Sequence, residues 1–195
     1  FNLYNILHRY KNMSKAKTIR ELKATIAQKM GTKTTEASKG FDVIAVGRRD
    51  SDNGFFRSKG IEYIGCFILE DKNSYDSLPI DIDAIVHLGG TMPAHADNSP
   101  MPYIQSIVVG MINLCEWAKD TNCKRIVFNT TPSDISQFFE SGTPVNDDAM
   151  RSFPKNGGDH AIYAIAKNAA ADILEHYYHA YGISYIIFRH LTVYG

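Results

Sequence analysis

The sequence predicts an α/β domain built on a doubly wound parallel sheet, with helices on both faces. Three observations carry this. Short β-branched apolar runs recur from residue 41 onward, as in 41–46, 83–88 and 124–128. Between them lie stretches with apolar residues at helical spacing, at 103–119 and from Asp159 to about Tyr181. Strand and helix in alternation is the pattern of βαβ units, whose strands are parallel and buried on both faces.

Composition sets the class. The 195 residues are 44% apolar and 22% charged, enough for one globular domain with a sizeable core. No window of about 18 apolar residues exists, so no membrane span is expected. No apolar run followed by a small-residue cleavage site opens the chain, so secretion is not expected either. Cys66, Cys115 and Cys123 are far apart and fit no metal spacing; they read as reduced thiols of a cytoplasmic protein. Net charge is zero, but residues 1–40 hold nine Lys/Arg against Glu21 and Glu36, a net of +7. A basic arm can attract nucleic acid or anionic lipid. There is no aromatic interleaving and no nucleic-acid motif, so a solvated face is expected and neither partner is.

The elements follow in order. Phe1 to Asn12 shows no clear period. Ser14 can N-cap a helix over about 15–30, with Ile19, Leu22, Ile26 and Met30 near one face and Gly31 as its stop. Met13 is also a candidate internal start. Residues 1–40 therefore form a divergent basic segment, and 41–195 the α/β domain. The first strand of that domain, Phe41 to Val46, ends at Gly47-Arg48-Arg49. Residues 51–60 are loop-like, 61–68 a second strand, and 74–78 a short helix or turn before Pro79. A third strand, 83–88, closes on Gly89-Gly90. A Pro-rich loop from Thr91 to Pro102 leads into the helix at 103–119. The fourth strand is 124–128 and the fifth 183–189. Residues 132–160 are too many for a plain connector and mark a functional loop. Ligands of such sheets sit beyond the C-terminal strand ends. That points to 47–49, 88–91, 129–133 and 190–195.

One pair on the last helix carries chemistry. Tyr163 and Lys167 are four residues apart, so they share a helix face one turn apart. A phenol beside an ammonium can transfer protons, and the cation is expected to pull the tyrosine pKa down from about 10. Taken alone, the spacing also occurs on many helices by chance. His176 and His179 with Glu175 resemble a metal cluster, but a solvated helix face is the expectation, and no metal is assigned.

From about Phe41 to Gly195 the chain resembles the extended short-chain dehydrogenase/reductase family, in its nucleotide-sugar epimerase/dehydratase branch. Asp83-Ala-Ile-Val-His-Leu-Gly-Gly90 resembles the family's DxVxHLAA strand and turn. Tyr103 with Gly110-Met-Ile-Asn-Leu114 resembles its Y…GTxNLL helix. Lys124-Arg-Ile-Val-Phe-Asn-Thr-Thr131 resembles KRxVxxSS(S/T), Pro144 to Asp148 the PxxE loop, and Phe188 to Gly195 LRxxNVYG. Tyr163-xxx-Lys167 matches the catalytic pair. Each motif is weak alone; six in family order are specific.

The resemblance implies a Rossmann-like fold and a nicotinamide cofactor across the strand ends. Tyr163 would be the general acid/base for a sugar oxygen, Lys167 would hold the nicotinamide ribose, and Thr131 would hydrogen-bond the reacting oxygen. Gly47, Arg48, Arg49, Phe67, Ile68, Leu88, Gly89, Gly90, Lys167 and Leu191 would border the cofactor. Thr91, Met92 and Thr192 would border a nucleotide-sugar substrate. Pro132-Ser133 replaces the Asp-Glu of 4,6-dehydratases, which implies an epimerase or ketoreductase. Arg48-Arg49 stands where NAD users carry an acid, which tilts the cofactor from NAD toward NADP. Helices 101–119 and 160–181 would form a homodimer interface.

Four departures stand beside the resemblance. No Gly-x-x-Gly-x-x-Gly turn occurs in residues 1–40, so the first strand and its phosphate cradle are atypical. Phe67 replaces an Asp that contacts adenine, and Ile107 an Asn. The chain reaches only the start of the C-terminal substrate lobe. These leave open an alternative: a catalytically impaired fragment, or a non-enzymatic Rossmann-like binding or scaffold module.

Overall fold

The computed structural model describes residues 41–93, 99–133, 135, 146, 149–151 and 158–189, and the backbone of 5–10. The expected helix at 15–30 and the sites at Leu191 and Thr192 lie outside the described residues. Among the described residues six strands form one sheet: β1 (Asn5–Tyr10), β2 (Phe41–Val46), β3 (Glu62–Ile64), β4 (Ala84–His87), β5 (Arg125–Thr130) and β6 (Ser184–Arg189). Their order is β3-β2-β1-β4-β5-β6. The pairs β2·β3, β4·β5 and β5·β6 are parallel.

The central strand departs from that direction. β1 pairs antiparallel with both neighbours, Asn5 opposite Val46 and Tyr10 opposite Phe41, and Ile6 opposite Val86 on the other side. The five strands predicted from residue 41 onward are therefore parallel to one another, and the atypical first strand fills the slot between β2 and β4 in the reverse sense. Its sequence, Asn-Ile-Leu-His-Arg-Tyr, has no period-2 alternation. Pairing on both edges, and not local propensity, makes it a strand.

Among the described residues, helices pack against the sheet at β5 and β6. α1 (Met101–Tyr103), a π-helix (Ile104–Val109) and α2 (Gly110–Asp120) follow without a break, and α3 spans Asp159–Tyr181. Ser106 Oγ lies 2.6 Å from the Pro102 carbonyl, four residues back, a contact that bends helices. Gly110 has a packing reason. A Cβ there would stand 2.9 Å from Leu69 Cβ, and glycine lets the helix approach that closely. α3 ends at Gly182 (φ 70°), whose N–H returns to the Tyr178 carbonyl. Its inner face uses Ala164, Ala166, Ala170 and Ala171, small side chains that seat it near the sheet.

The core lies between β4, β5 and the helices. Ile85, Ile126, Phe128, Ile107, Met111, Leu114, Leu174 and Ile183 are almost fully buried there. Each such side chain contributes roughly 1.5–3 kcal/mol of transfer free energy. Between α2 and α3, the Tyr177 hydroxyl donates to Glu116, whose other oxygen meets Lys119. Among the described residues no helix is long and apolar enough to cross a membrane. Cys115 and Cys123 are buried, Cys66 is exposed, and all three are free thiols.

Candidate active site

The parallel strands end along one edge, and α3 begins beside it. Asp159, Tyr163 and Lys167 recur every four residues on α3, so they form one stripe. Lys167 is 1% exposed. Its Nζ donates to Asn129 Oδ1 at 3.3 Å and lies 4.6 Å from the Phe128 ring centre and 5.7 Å from that of Tyr163. The last residues of β5 thus form the floor under the amine. His87, at the end of β4, stacks on Phe128 with ring centres 5.5 Å apart and is fully buried.

Burial governs the protonation states. It pulls the Lys167 amine down to about 7, because one amide oxygen does not replace the water an ammonium loses. His87 is pulled down to about 3 by burial and then by the Lys167 charge, so it is neutral. Tyr163 moves opposite to the expectation from sequence. Its pKa is raised, first by burial and then by Tyr103, whose ring meets it edge-on at 6.2 Å. The reason is geometric. The Lys167 amine is turned to Asn129 and Phe128, and burial disfavours charge on the phenol. Tyr103 is itself fully buried, its pKa raised by burial and by the Asp159 carboxylate.

Thr131 is 5% exposed at the exit of β5. Its Oγ1 accepts the Ser133 N–H at 3.2 Å and donates to Ser133 Oγ at 3.1 Å. The hydroxyl therefore closes a local turn. The β4 exit is shaped by Gly90 (φ 130°), where a Cβ would stand 2.9 Å from Ile107 Cγ1. Leu88 and Gly90 to Met92 are half-buried, and Gly89 is buried. The Thr91 N–H donates to Ser106 Oγ at 3.0 Å, and the two hydroxyls are 2.9 Å apart.

At the other end of the edge the predicted cofactor residues are spread out. Gly47 is held by backbone bonds to Ile64 and Phe67. Arg48 pairs with Glu70 at 2.7 Å. The Arg49 carbonyl accepts the Cys66 N–H and the Tyr63 hydroxyl. Phe67 is 4% exposed and packs edge-on against Tyr75 at 4.9 Å, so it belongs to the core. Ile68 is exposed. In the turn after β2, the Asp52 carboxylate accepts the N–H groups of Gly54, Phe56 and Arg57 at 2.6–3.0 Å. Burial alone would raise its pKa, but the amides of Arg57, Gly54 and Phe56 together hold it below the ordinary value.

Sequence reasoning missed Asn129, Phe128, His87, Tyr103, Ser106 and Asp159 as parts of this site. His87, Phe128 and Asn129 were inside the quoted motifs, and their position at strand ends was a usable signal. Tyr103 and Ser106 reach the site only because α1 and the π-helix cross the β4 exit.

A sheet in the order 3-2-1-4-5-6, with Tyr163 and Lys167 on the helix beside the β5 end, defines a Rossmann-like domain of the short-chain dehydrogenase/reductase class. More particularly, residues 31–195 match the model of the NAD dependent epimerase/dehydratase family, and the chain belongs to that family. It is 30% identical over 115 residues to a UDP-glucuronate 4-epimerase of Thermodesulfobacterium geofontis, a match covering 58% of this chain and 33% of that protein. A solved mutated uronate dehydrogenase is 25% identical with a TM-score of 0.55, over 69% of this chain and 45% of that one. The UDP-glucose 4-epimerase of Thermus thermophilus, solved in complex with NAD, shares the fold at 17% identity and a TM-score of 0.58, over 79% and 48%. The chain thus spans about a third of the length of the curated relatives it matches and about half of the solved chains.

Proposed function

We propose that this chain carries the catalytic residues of a nicotinamide-dependent epimerase or ketoreductase acting on a nucleotide sugar. The observation supporting this is the stripe of Tyr163 and Lys167 over the end of β5, with Lys167 seated on Asn129 and Phe128. Tyr163 Oη is the group that takes a proton from, or returns one to, a sugar oxygen. Its half-buried phenol stays protonated at neutral pH, which suits the acid role in reduction of a keto group. Lys167 supplies an amine to a ribose hydroxyl, and its charge returns when such an acceptor replaces lost water. Thr131 aids the reacting oxygen once its hydroxyl turns away from Ser133. The bound cofactor would supply hydride acceptance and donation. The Glu70 ion pair engages Arg48 and leaves the NADP lean to Arg49, so the cofactor is NAD or NADP. Met101, Val109, Ile112, Ile165, Tyr178 and Tyr181 are exposed on the helices proposed for a homodimer.

A second reading, a binding or scaffold module with impaired catalysis, draws on the reversed β1, which leads the chain away from the site edge. Turnover separates the two. Tyr163→Phe should abolish interconversion of UDP-glucuronate, followed by NMR, and leave dihydronicotinamide binding largely intact. A fully active variant would sink the acid/base role. A wild-type chain that binds cofactor without turnover would favour the second reading.

A further inference from the structure

We infer that this chain recognises the nicotinamide riboside end of its cofactor and draws little affinity from the pyrophosphate and adenosine. This rests on the reading above that a nicotinamide cofactor is bound. In doubly wound sheets the pyrophosphate lies on a turn that leaves a central strand and opens a helix at the C-terminal edge. Here the central strand runs the other way. Asn5 lies at the site edge opposite Val46, and Tyr10 at the far edge opposite Phe41. The chain therefore leaves β1 on the side away from Tyr163 and Lys167.

Two of the turns that follow parallel strands hold a carboxylate on their own amides. After β2, Asp52 takes the N–H groups of Gly54, Phe56 and Arg57. After β3, Asp71 takes that of Asn73. α3 opens with Asp159, an acid in its first turn. An incoming phosphate would meet a carboxylate at each of these places. The adenosine side fares no better among the described residues. Phe67 is core, and Arg48 is engaged by Glu70. The nicotinamide end is built differently. Tyr163 and Lys167 share one helix face, Asn129 and Phe128 seat the amine, and the Gly89–Thr91 turn stands at the neighbouring strand end.

The test is a fluorescence titration of the full chain with three reduced probes: nicotinamide riboside, nicotinamide mononucleotide and NADH. The three dissociation constants should agree within about threefold, and excess ADP-ribose should not displace NADH. Lys167→Met should weaken all three alike, by roughly tenfold or more. Affinity that rises about tenfold or more from riboside to NADH, or displacement by ADP-ribose, overturns the inference while leaving the functional reading standing. No binding of any probe, checked by calorimetry, overturns both.

Discussion

Replacing Lys167 by methionine should stabilise the fold, and by an amount that shrinks as pH rises. The amine is 1% exposed and its pKa falls from 10.5 to about 7 through burial. A lysine lowered on folding binds fewer protons in the native than in the unfolded chain between those two values. Stability therefore rises with pH through that window, and the full penalty is present below it. The penalty is about 5 kcal/mol near pH 6 and about 2 kcal/mol near pH 9, a gain of about 2–3 kcal/mol across the interval. Methionine has similar bulk and no charge. It loses the bond to Asn129, which leaves that oxygen unpaired at a cost of about 1–3 kcal/mol. The net gain at pH 6 is then about 2–4 kcal/mol, falling to about zero near pH 9. Urea unfolding of both proteins at several pH values measures this. With a slope of roughly 2 kcal/mol/M, the wild-type midpoint should rise by about 1 M from pH 6 to 9 relative to the variant. A stability difference independent of pH would refute the reasoning, because it would mean that Lys167 titrates alike in both states.

Other outcomes follow from packing. Gly110→Ala puts a methyl group against Leu69 and should cost about 1–3 kcal/mol in urea unfolding, although alanine is the better helix former. Tyr177→Phe removes the hydroxyl that ties α3 to Glu116 of α2, and should cost about 1–2 kcal/mol and lower the melting temperature. Ile107→Ala empties a fully buried position against Gly90, and should cost about 2–5 kcal/mol while shifting the near-UV spectrum of the aromatic core.

Much of the fold is legible because its signals are local. β2, β4 and β5 are β-branched runs stopped by Gly or polar residues, and α3 shows its periodicity and its Gly182 stop. β1 is not legible, since its pairing partners are more than thirty residues away and its own pattern is mixed. The π-helix at Ile104–Val109 reads as ordinary helix in sequence. Ser106 and its contacts with Pro102 and Thr91 accompany the change of winding. The site divides in the same way. Tyr163 and Lys167 are visible as a spacing, but the direction in which Lys167 points depends on Asn129, thirty-eight residues away.

The sequence by itself determined the parallel strands from residue 41 onward, the helix that presents Tyr163 and Lys167, and the edge at which they gather. Periodicity and strand-to-turn boundaries are properties of adjacent residues, so they survive without coordinates. Only the tertiary structure decided the reversed direction of β1, the burial that lowers Lys167 and raises Tyr163, and the seating of the Lys167 amine on Asn129. Each of those depends on which distant groups exclude water or supply a hydrogen-bond partner, and no local pattern records that.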